Sequence, residues 1–385
     1  MNEMELYSKI VAAVQSSTFD AVVVTGADNF VYMAGAVIPF LTLYPDSPVI
    51  VVWPRRGDPT VIAPEEWEET IVTLSSIKKI RTYSGGVDAF TRAIADVLKA
   101  KKGARIGADL LRVPEATLNK LKKLLPEMEW VSCDGLIREL RAVKTEEELG
   151  LLEDAAYRVD HGIFGTQHHV LITSTRSEMS LGEEVRVHCL ERGLDVIGAH
   201  SVSQGASGTN ASKFWPRAPY YGIGHEKKLK EGEYVRIEAR YSLDGYWGTG
   251  SRLMTQGYTT AEQRKAYGHI VALREAALSA MKPGAKCSEV YKAMKAAAKE
   301  LDAKLVEGLA LGHGIGVADV EAPYLSAKDD TKLCPGMVLV IRPVVEGPKG
   351  ELLWSSDTVV IEEDGPRVVG WYKDWREPYV ANYTL

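Results

Sequence analysis

The chain has 385 residues, which exceeds the usual domain size of about 100–200 residues and predicts two domains. Hydrophobic residues make up 45% and charged residues 25% of the chain, a balance that excludes a disordered or fibrous class. The net charge of -6 and the pI near 5.9 argue against a protein that binds nucleic acid by neutralising its phosphates.

The N-terminal segment MNEMELYSKIVAAV has acidic and amphipathic character, whereas a secretory signal is basic and then continuously apolar. No apolar run reaches the roughly 18 residues that a membrane-spanning helix needs. The four cysteines are widely scattered and form no C-x-x-C pair, a pattern typical of reduced thiols. We therefore expect a cytoplasmic protein that binds neither membranes nor nucleic acid.

Short β-branched runs alternate with helical patterns along residues 1–135. The order is a helix over 5–15, the strands AVVVTG and PVIVVWP, a helix over Phe90–Lys101 and the strand ARIGAD. Such alternation is typical of layered α/β structure. The sequence thus predicts an α/β N-terminal domain over residues 1–135.

The remainder, residues 136–385, shows helices and strands in clusters. A long amphipathic helix is predicted over Asp134–Val170, with Thr145 placed to cap it ahead of three glutamates. Strands are expected over Tyr234–Tyr241, Met337–Val345 and Asp357–Glu362, and helices over Thr260–Met281 and Cys287–Leu301. Clustered helices and antiparallel strands indicate an α+β C-terminal domain.

Five motifs occur in a fixed order over about 350 residues. They are GADNFVYMAGA, LIRELRAVKTEEELGLLEDAA, the pair KLKEGEYVRIEA and DGYWGTGSRL, the segment GHGIG, and the pair PGMVLVIRP and SSDTVVIEEDG. In this order the chain resembles the creatinase, prolidase and aminopeptidase P family. The resemblance implies a creatinase-type N-terminal domain, a pita-bread C-terminal domain and a homodimer.

The family resemblance also implies a set of metal-binding positions, because its members hold two divalent ions with two Asp, one His and two Glu. In this chain the five positions carry Glu238, Thr249, His313, Arg342 and Ser356. One carboxylate remains, and an arginine, which cannot ligate a metal, has replaced a glutamate. We therefore expect no dinuclear metal site and no other cofactor.

Strand periodicity places Arg236, Glu238 and Arg240 on one face of their strand. Charged side chains that face a cleft are usually paired. We expect Glu238 to pair with Arg342 across the position of the lost metals, with His313 beside them. The alternative is that these residues only fill an inactive site.

The resemblance and the residue chemistry together give a list of candidate site residues. His313, Glu238 and Arg342 are the candidate catalytic groups, of which the imidazole can exchange protons near neutral pH. The candidate substrate contacts are Trp215, Tyr221, Thr249, Arg252, Glu321 and Ser356. The resemblance gives no counterpart for the histidine that creatinase uses as its base, upstream of the first metal position, because the aligned residue is Phe214, Trp215 or Tyr221, and none of these is a histidine.

Three functions fit these observations. The main interpretation is a metal-independent hydrolase or lyase of a small polar substrate with a C–N bond, similar in strategy to creatinase or ectoine hydrolase, with Arg342 or Arg252 holding an anionic group. The first alternative is an Xaa-Pro dipeptidase or aminopeptidase. The second is a catalytically inactive pita-bread module that only binds a partner.

Overall fold

The computed structural model describes residues 3–38, 48–99, 102–170, 176–195, 201–212, 225–306, 308–372 and 375–381. The chain divides into two compact units, Met1–Arg141 and Ala142–Leu385. The predicted boundary after residue 135 and this division fall at opposite ends of one helix, Asp134–Ala142. Among the described residues, no helix is both long enough and apolar enough to cross a membrane.

The first unit is a mixed six-stranded sheet with helices, which confirms the α/β prediction. Its helices are α1 Glu3–Ser16, α2 Ala27–Ala34, α3 Glu68–Leu74, α4 Val87–Leu98, α5 Glu115–Leu124 and α6 Asp134–Ala142. Its strands are β1 Ala21–Val24, β2 Ile50–Pro54, β3 Thr60–Pro64, β4 Ile80–Tyr83, β5 Arg105–Ala108 and β6 Glu129–Ser132. The strand order is β4-β3-β2-β1-β5-β6, with β1 parallel to β5 and antiparallel to β2.

A buried carboxylate fixes the turn between β1 and α2 in this unit. Asp109, at the end of β5, accepts hydrogen bonds from the Thr25 and Gly26 amides at 2.9 and 3.0 Å. The Asn29 side chain adds a longer contact of 3.4 Å. Because these donors satisfy a buried carboxylate next to a helix start, they give Asn29 of the GADNF motif a structural role.

The second unit contains four helices and eleven strands among its described residues. The helices are α7 Glu146–Val170, α8 Glu178–Glu191, α9 Ala261–Ala280 and α10 Cys287–Glu300. The longer strands are β7 Val202–Ser207, β8 Tyr234–Leu243, β9 Tyr246–Gln256, β12 Val338–Ile341, β15 Asp357–Glu362 and β16 Gly365–Val369. The shorter ones are β10 Gly312–Gly314, β11 Glu321–Tyr324, β13 Val345–Glu346, β14 Leu352–Leu353 and β17 Tyr379–Ala381.

Two main sheets organise the second unit. One has the order β11-β10-β12-β15-β16 and the other the order β17-β9-β8-β7, and a bridge between Ser251 and Ser356 joins them. Helices α9 and α10 share one apolar core with the five-stranded sheet, and α7 and α8 share another with the four-stranded sheet. This arrangement confirms the predicted α+β architecture.

One predicted element differs from the structure. The single helix expected over Asp134–Val170 is two helices, α6 and α7, interrupted at Val143–Thr145. Thr145 caps α7 as expected, because its hydroxyl accepts from the Glu148 amide at 3.3 Å while the Glu148 carboxylate accepts from the Thr145 amide. The cap therefore marks a new helix start, since a capping residue has non-helical backbone.

Candidate functional site

Strand β8 carries charged residues on one face and apolar residues on the other, as its alternation predicts. Val235, Ile237 and Ala239 are fully buried in the core beneath α7 and α8. Glu238 lies on the opposite face and is only 4% exposed. Since the charged face lies away from the apolar core, its side chains are stabilised by one another.

Glu238 is at the centre of this charged cluster. Its Oε1 accepts hydrogen bonds from Arg240 through Nε, at 2.9 Å, and through Nη2. The Arg342 Nη1 lies 3.8 Å from the same oxygen, which confirms the predicted pairing as a charge contact longer than a hydrogen bond. Burial alone would raise the pKa of Glu238, but the guanidinium groups of Arg240, Arg342 and Arg236 more than offset it and lower that pKa. Glu238 is therefore ionised and poorly suited to accept a proton.

Arg240 connects two carboxylates. Besides its bonds to Glu238, it donates from Nη1 to the Asp319 carboxylate at 3.0 Å. Burial disfavours its charge, yet Glu238 and Asp319 together raise the pKa of Arg240. Strand alternation predicts the face on which Arg240 lies, but it assigns no role to Arg240 and gives no signal for Asp319.

Arg236 and Arg342 both lie near one indole ring, that of Trp354. The Arg236 Cζ lies 3.6 Å from the centre of the Trp354 ring, and the Arg342 Cζ lies 5.5 Å from it. Arg236 donates to the backbone carbonyls of Ala211 and Leu352 at 3.0 and 2.6 Å. Burial lowers the pKa of Arg236 to about 10 and also lowers that of Arg342.

The guanidinium of Arg342 differs from the other two in this cluster. Among the described residues it makes no recorded hydrogen bond, and its side chain is 25% exposed. The backbone amide of Arg342 is fixed by the Leu311 carbonyl at 2.8 Å, so that the side chain starts from a rigid strand end. Its donors are available to an external anionic group.

His313 lies on β10, opposite Val340 of β12. Its Nδ1 is 3.0 Å from the Gly314 carbonyl oxygen, which assigns the proton to Nδ1 and leaves Nε2 as an acceptor. Burial lowers the pKa of His313 to about 4, and the charges of Arg342 and Arg240 act in the same direction. The imidazole is therefore neutral at neutral pH.

This lowered pKa makes His313 an acid-sensitive element of the fold. The folded-state pKa of about 4 lies below the ordinary value of 6.5. Between these two pH values His313 is therefore protonated in the unfolded chain and neutral in the folded chain. Between pH 6.5 and 4 the wild type is expected to lose up to about 3 kcal/mol that His313→Asn retains, since asparagine can still donate to Gly314. Urea unfolding of both proteins at several pH values measures this, and parallel pH profiles would contradict it.

Of the other predicted substrate contacts, Thr249 and Ser356 lie near the charged cluster. Thr249 of β9 lies opposite Arg240, and Ser356 bridges Ser251, which lies opposite Glu238. Their role as substrate contacts stays a prediction. Trp215 and Tyr221 lie outside the described residues.

Arg252 was predicted to contact the substrate, and the structure places it elsewhere. It lies opposite Ile237 and therefore on the apolar face of β8 and β9, away from Glu238. Its Nη2 lies 2.8 Å from Asp160 and 3.4 Å from Asp357, and both carboxylates are buried. Arg252 is a structural residue and does not hold an external anion.

Glu321 lies in a separate buried ion pair. Its Oε1 is 3.1 Å from the Lys144 Nζ, and both side chains are at most 8% exposed. A Cβ at Gly316 would come within 2.6 Å of the same oxygen, so the carboxylate packs directly against that backbone. A substrate that contacts Glu321 would have to compete with Lys144, and this role also stays a prediction.

The residues present do not fit a pair of divalent ions. The guanidinium groups of Arg236, Arg240 and Arg342 act on the carboxylate of Glu238, and those of Arg240 and Arg342 also act on Asp319. Counted over these five groups, three positive and two negative charges leave one net positive charge. Within the described ranges, no group of three or more His, Cys, Asp or Glu side chains is arranged to hold a metal. Dinuclear sites of hard ions need several unpaired oxygen ligands, whereas both carboxylates here are hydrogen-bonded to Arg240.

Comparison with known proteins gives the same two-part division. Residues 152–364 match the model of metallopeptidase family M24, and residues 7–143 match that of the creatinase/prolidase N-terminal domain. The Xaa-Pro dipeptidase of Pyrococcus horikoshii is 23% identical over 366 residues, which cover 94% of this chain and 96% of that protein.

Solved structures show the same fold over nearly the full length. The X-Pro aminopeptidase of Thermotoga maritima has a TM-score of 0.81 and 17% identity, covering 97% of this chain and 99% of that one. The N-terminal domain of the FACT complex subunit SPT16 from Cicer arietinum has a TM-score of 0.70 and 16% identity, and the match covers 96% of this chain and 100% of that one. At these identities the likeness establishes the fold alone.

Proposed function

Because this chain belongs to metallopeptidase family M24 but has an arginine-rich cluster at the family's metal positions, we propose that it is a metal-independent hydrolase. Its substrate is a small carboxylate-bearing molecule with a C–N bond. The observation that carries this proposal is the free guanidinium of Arg342, which has no recorded hydrogen bond among the described residues.

Arg342 binds the substrate carboxylate in this proposal. Its planar guanidinium can form two parallel hydrogen bonds with a carboxylate, and partial burial strengthens such a bond relative to one in bulk water. The cluster has one net positive charge before the ligand arrives, so an anionic group completes its charge balance. Glu238, which is already bonded to Arg240, repels a second anion from its own position and favours binding on the Arg342 side.

In this proposal His313 accepts a proton from the attacking water as the water oxygen bonds to the substrate carbon, and it returns that proton to the leaving nitrogen as the C–N bond breaks. The Nδ1–H bond to Gly314 leaves Nε2 unprotonated, the form that can accept this proton. A pKa of about 4 makes it a weak base, so we expect slow turnover compared with enzymes whose base titrates near neutral pH. Glu238 supports the site by charge and is not the proton acceptor.

The names of the relatives favour dipeptides as the substrate class. Xaa-Pro dipeptidases are among the relatives of this chain, which supports the alternative function better than a substrate related to creatine or ectoine. An Xaa-Pro dipeptide is itself a small carboxylate-bearing molecule with a C–N bond, so it satisfies the requirement of Arg342. We therefore rank Xaa-Pro dipeptides first and cyclic amidines and guanidino acids second.

The proposal is tested with protein dialysed against EDTA. We expect glycyl-L-proline or another Xaa-Pro dipeptide to raise the melting temperature and to be cleaved at a rate that EDTA leaves unchanged. A ligand at 100 times its Kd adds about 2.7 kcal/mol to the free energy of unfolding. Cleavage that appears only with Mn²⁺ or Co²⁺ would overturn metal independence.

A binding module without catalysis is the second candidate, and the fold shared with the SPT16 domain favours it. The same screen separates the two. Stabilisation by a dipeptide without any cleavage, or no response from dipeptides, amidines and guanidino acids, would favour binding of another partner over hydrolysis.

A further inference from the structure

Two arginines of the cluster, Arg240 and Arg342, face the same carboxylate oxygen of Glu238. Arg240 donates twice to Oε1 of Glu238, and Arg342 lies 3.8 Å from that same atom. A hydrogen bond between Arg342 and Glu238 would need the two groups to approach by about 1 Å. Arg240 therefore already fills both acceptor sites of the carboxylate oxygen that lies nearest to Arg342.

The position of Arg240 is itself fixed from two sides. Its Nη1 donates to Asp319 at 3.0 Å, while Nε and Nη2 face Glu238. A guanidinium that is held at both edges cannot turn toward an incoming ligand, because its donors are already used. Arg240 is thus a poor anion-binding group, although it is the arginine bonded most closely to Glu238.

We infer that Arg240 is a positioning residue, which keeps the guanidinium of Arg342 available for ligand by holding the Glu238 carboxylate away from it. This inference rests on the proposed function for the role of Arg342. It assigns to Arg240 a role in ligand affinity that it exerts without touching the ligand.

Loss of Arg240 has a specific structural consequence. Glu238 is only 4% exposed, so its ionised carboxylate cannot rely on water when its partner is removed. Arg342 lies near, its guanidinium donates no hydrogen bond to any described residue, and we expect it to bond to Glu238. The anion-binding group would then be occupied from within the protein.

A double substitution separates this mechanism from a general loss of charge. In Arg240→Gln the cluster loses its net positive charge, and Glu238 can capture Arg342. In Glu238→Gln/Arg240→Gln one cation and one anion are removed together, so the net charge equals that of the wild type and Glu238 no longer competes. The double variant is expected to recover the availability of Arg342, whereas a merely structural role for Arg240 predicts no recovery.

The measurement is the rate at which phenylglyoxal, an arginine-specific reagent, modifies Arg342, followed by peptide mapping. In Arg240→Gln we expect this rate to fall about tenfold, as one charge-assisted hydrogen bond would cause, and in the double variant to return to within about threefold of wild type. Arg367→Gln is the matched control, because Arg367 also binds two carboxylates, Glu153 and Glu362, but lies on β16.

The outcomes are distinct from those of the functional test, because the reagent needs no substrate. An unchanged rate at Arg342 in Arg240→Gln, or an equally low rate in the double variant, would overturn the inference. If Arg240→Gln does not fold, Arg240→Lys keeps the charge with fewer donors and is expected to give an intermediate rate, while a wild-type rate would count against the inference. The expected labelling pattern without dipeptide binding would overturn only the proposed function.

Discussion

Replacing Arg342 with glutamine is expected to weaken binding of a carboxylate ligand by about a hundredfold, because removal of one partner from a buried charged pair costs 2–5 kcal/mol. The guanidinium has no recorded hydrogen bond among the described residues, and its contact with Glu238 is 3.8 Å long. Its loss should therefore change ligand affinity far more than fold stability. Calorimetric titration with glycyl-L-proline, alongside a urea unfolding curve, measures both quantities.

The conservative variant Arg342→Lys refines this test. Lysine keeps the charge but loses the planar pair of donors, so we expect affinity between those of wild type and glutamine. If the dipeptide is also cleaved, KM should rise more than kcat falls. Equal ligand affinity in wild type and Arg342→Gln would show that the anion binds elsewhere.

Replacing Arg252 with methionine is expected to lower the free energy of unfolding by about 3–5 kcal/mol, the cost of leaving buried charges unpaired. Arg252 is only 5% exposed and contacts Asp160 and Asp357, of which Asp160 has a pKa raised by burial and only partly offset by Arg252. Arg274 still pairs with Asp357 in the variant, so most of the lost stability comes from the unpaired carboxylate of Asp160.

Arg367→Met is the matched control for this prediction. Arg367 also binds two carboxylates, but its side chain is 39% exposed, so its removal should cost less than about 1 kcal/mol. Differential scanning calorimetry compares the two variants with wild type. Equal effects at both arginines would contradict the assignment of Arg252 as a buried structural residue, as would normal stability with lost ligand binding in Arg252→Met.

The parts of the site that sequence predicted correctly follow from strand alternation. The alternation in β8 separates Ile237 from Glu238, and the structure places the first in the core and the second in the charged cluster. Strand alternation also explains why the predicted role of Arg252 in the site was wrong. Arg252 lies three positions after Thr249 on one strand, and an odd separation puts the two side chains on opposite faces.

The parts that sequence did not predict depend on contacts between distant segments. Arg240 and Asp319 are separated by 79 positions, and Lys144 and Glu321 by 177. Asp319 lies between β10 and β11, where no alternation specifies the direction of a side chain. The second carboxylate that holds Arg240 therefore became clear only when the turn after β10 was placed beside β8.

The cluster also explains how a family fold can persist after its metal ligands have changed. In this chain the two carboxylates are neutralised by guanidinium groups that belong to the protein, with Arg240 bonded to both Glu238 and Asp319. A buried carboxylate needs a partner, and a fixed arginine can serve where a cation would otherwise be required. Under the proposed function, the arginine-rich cluster is suited to an anion.

Metal content tests this account most directly. The protein is incubated with excess Mn²⁺ or Co²⁺, freed of unbound ions by gel filtration and examined by elemental analysis, with the P. horikoshii Xaa-Pro dipeptidase treated in parallel. We expect well below one ion per chain, since Arg342 and Arg240 repel cations from the cluster. Two ions per chain, lost when His313 is replaced by asparagine, would contradict the account.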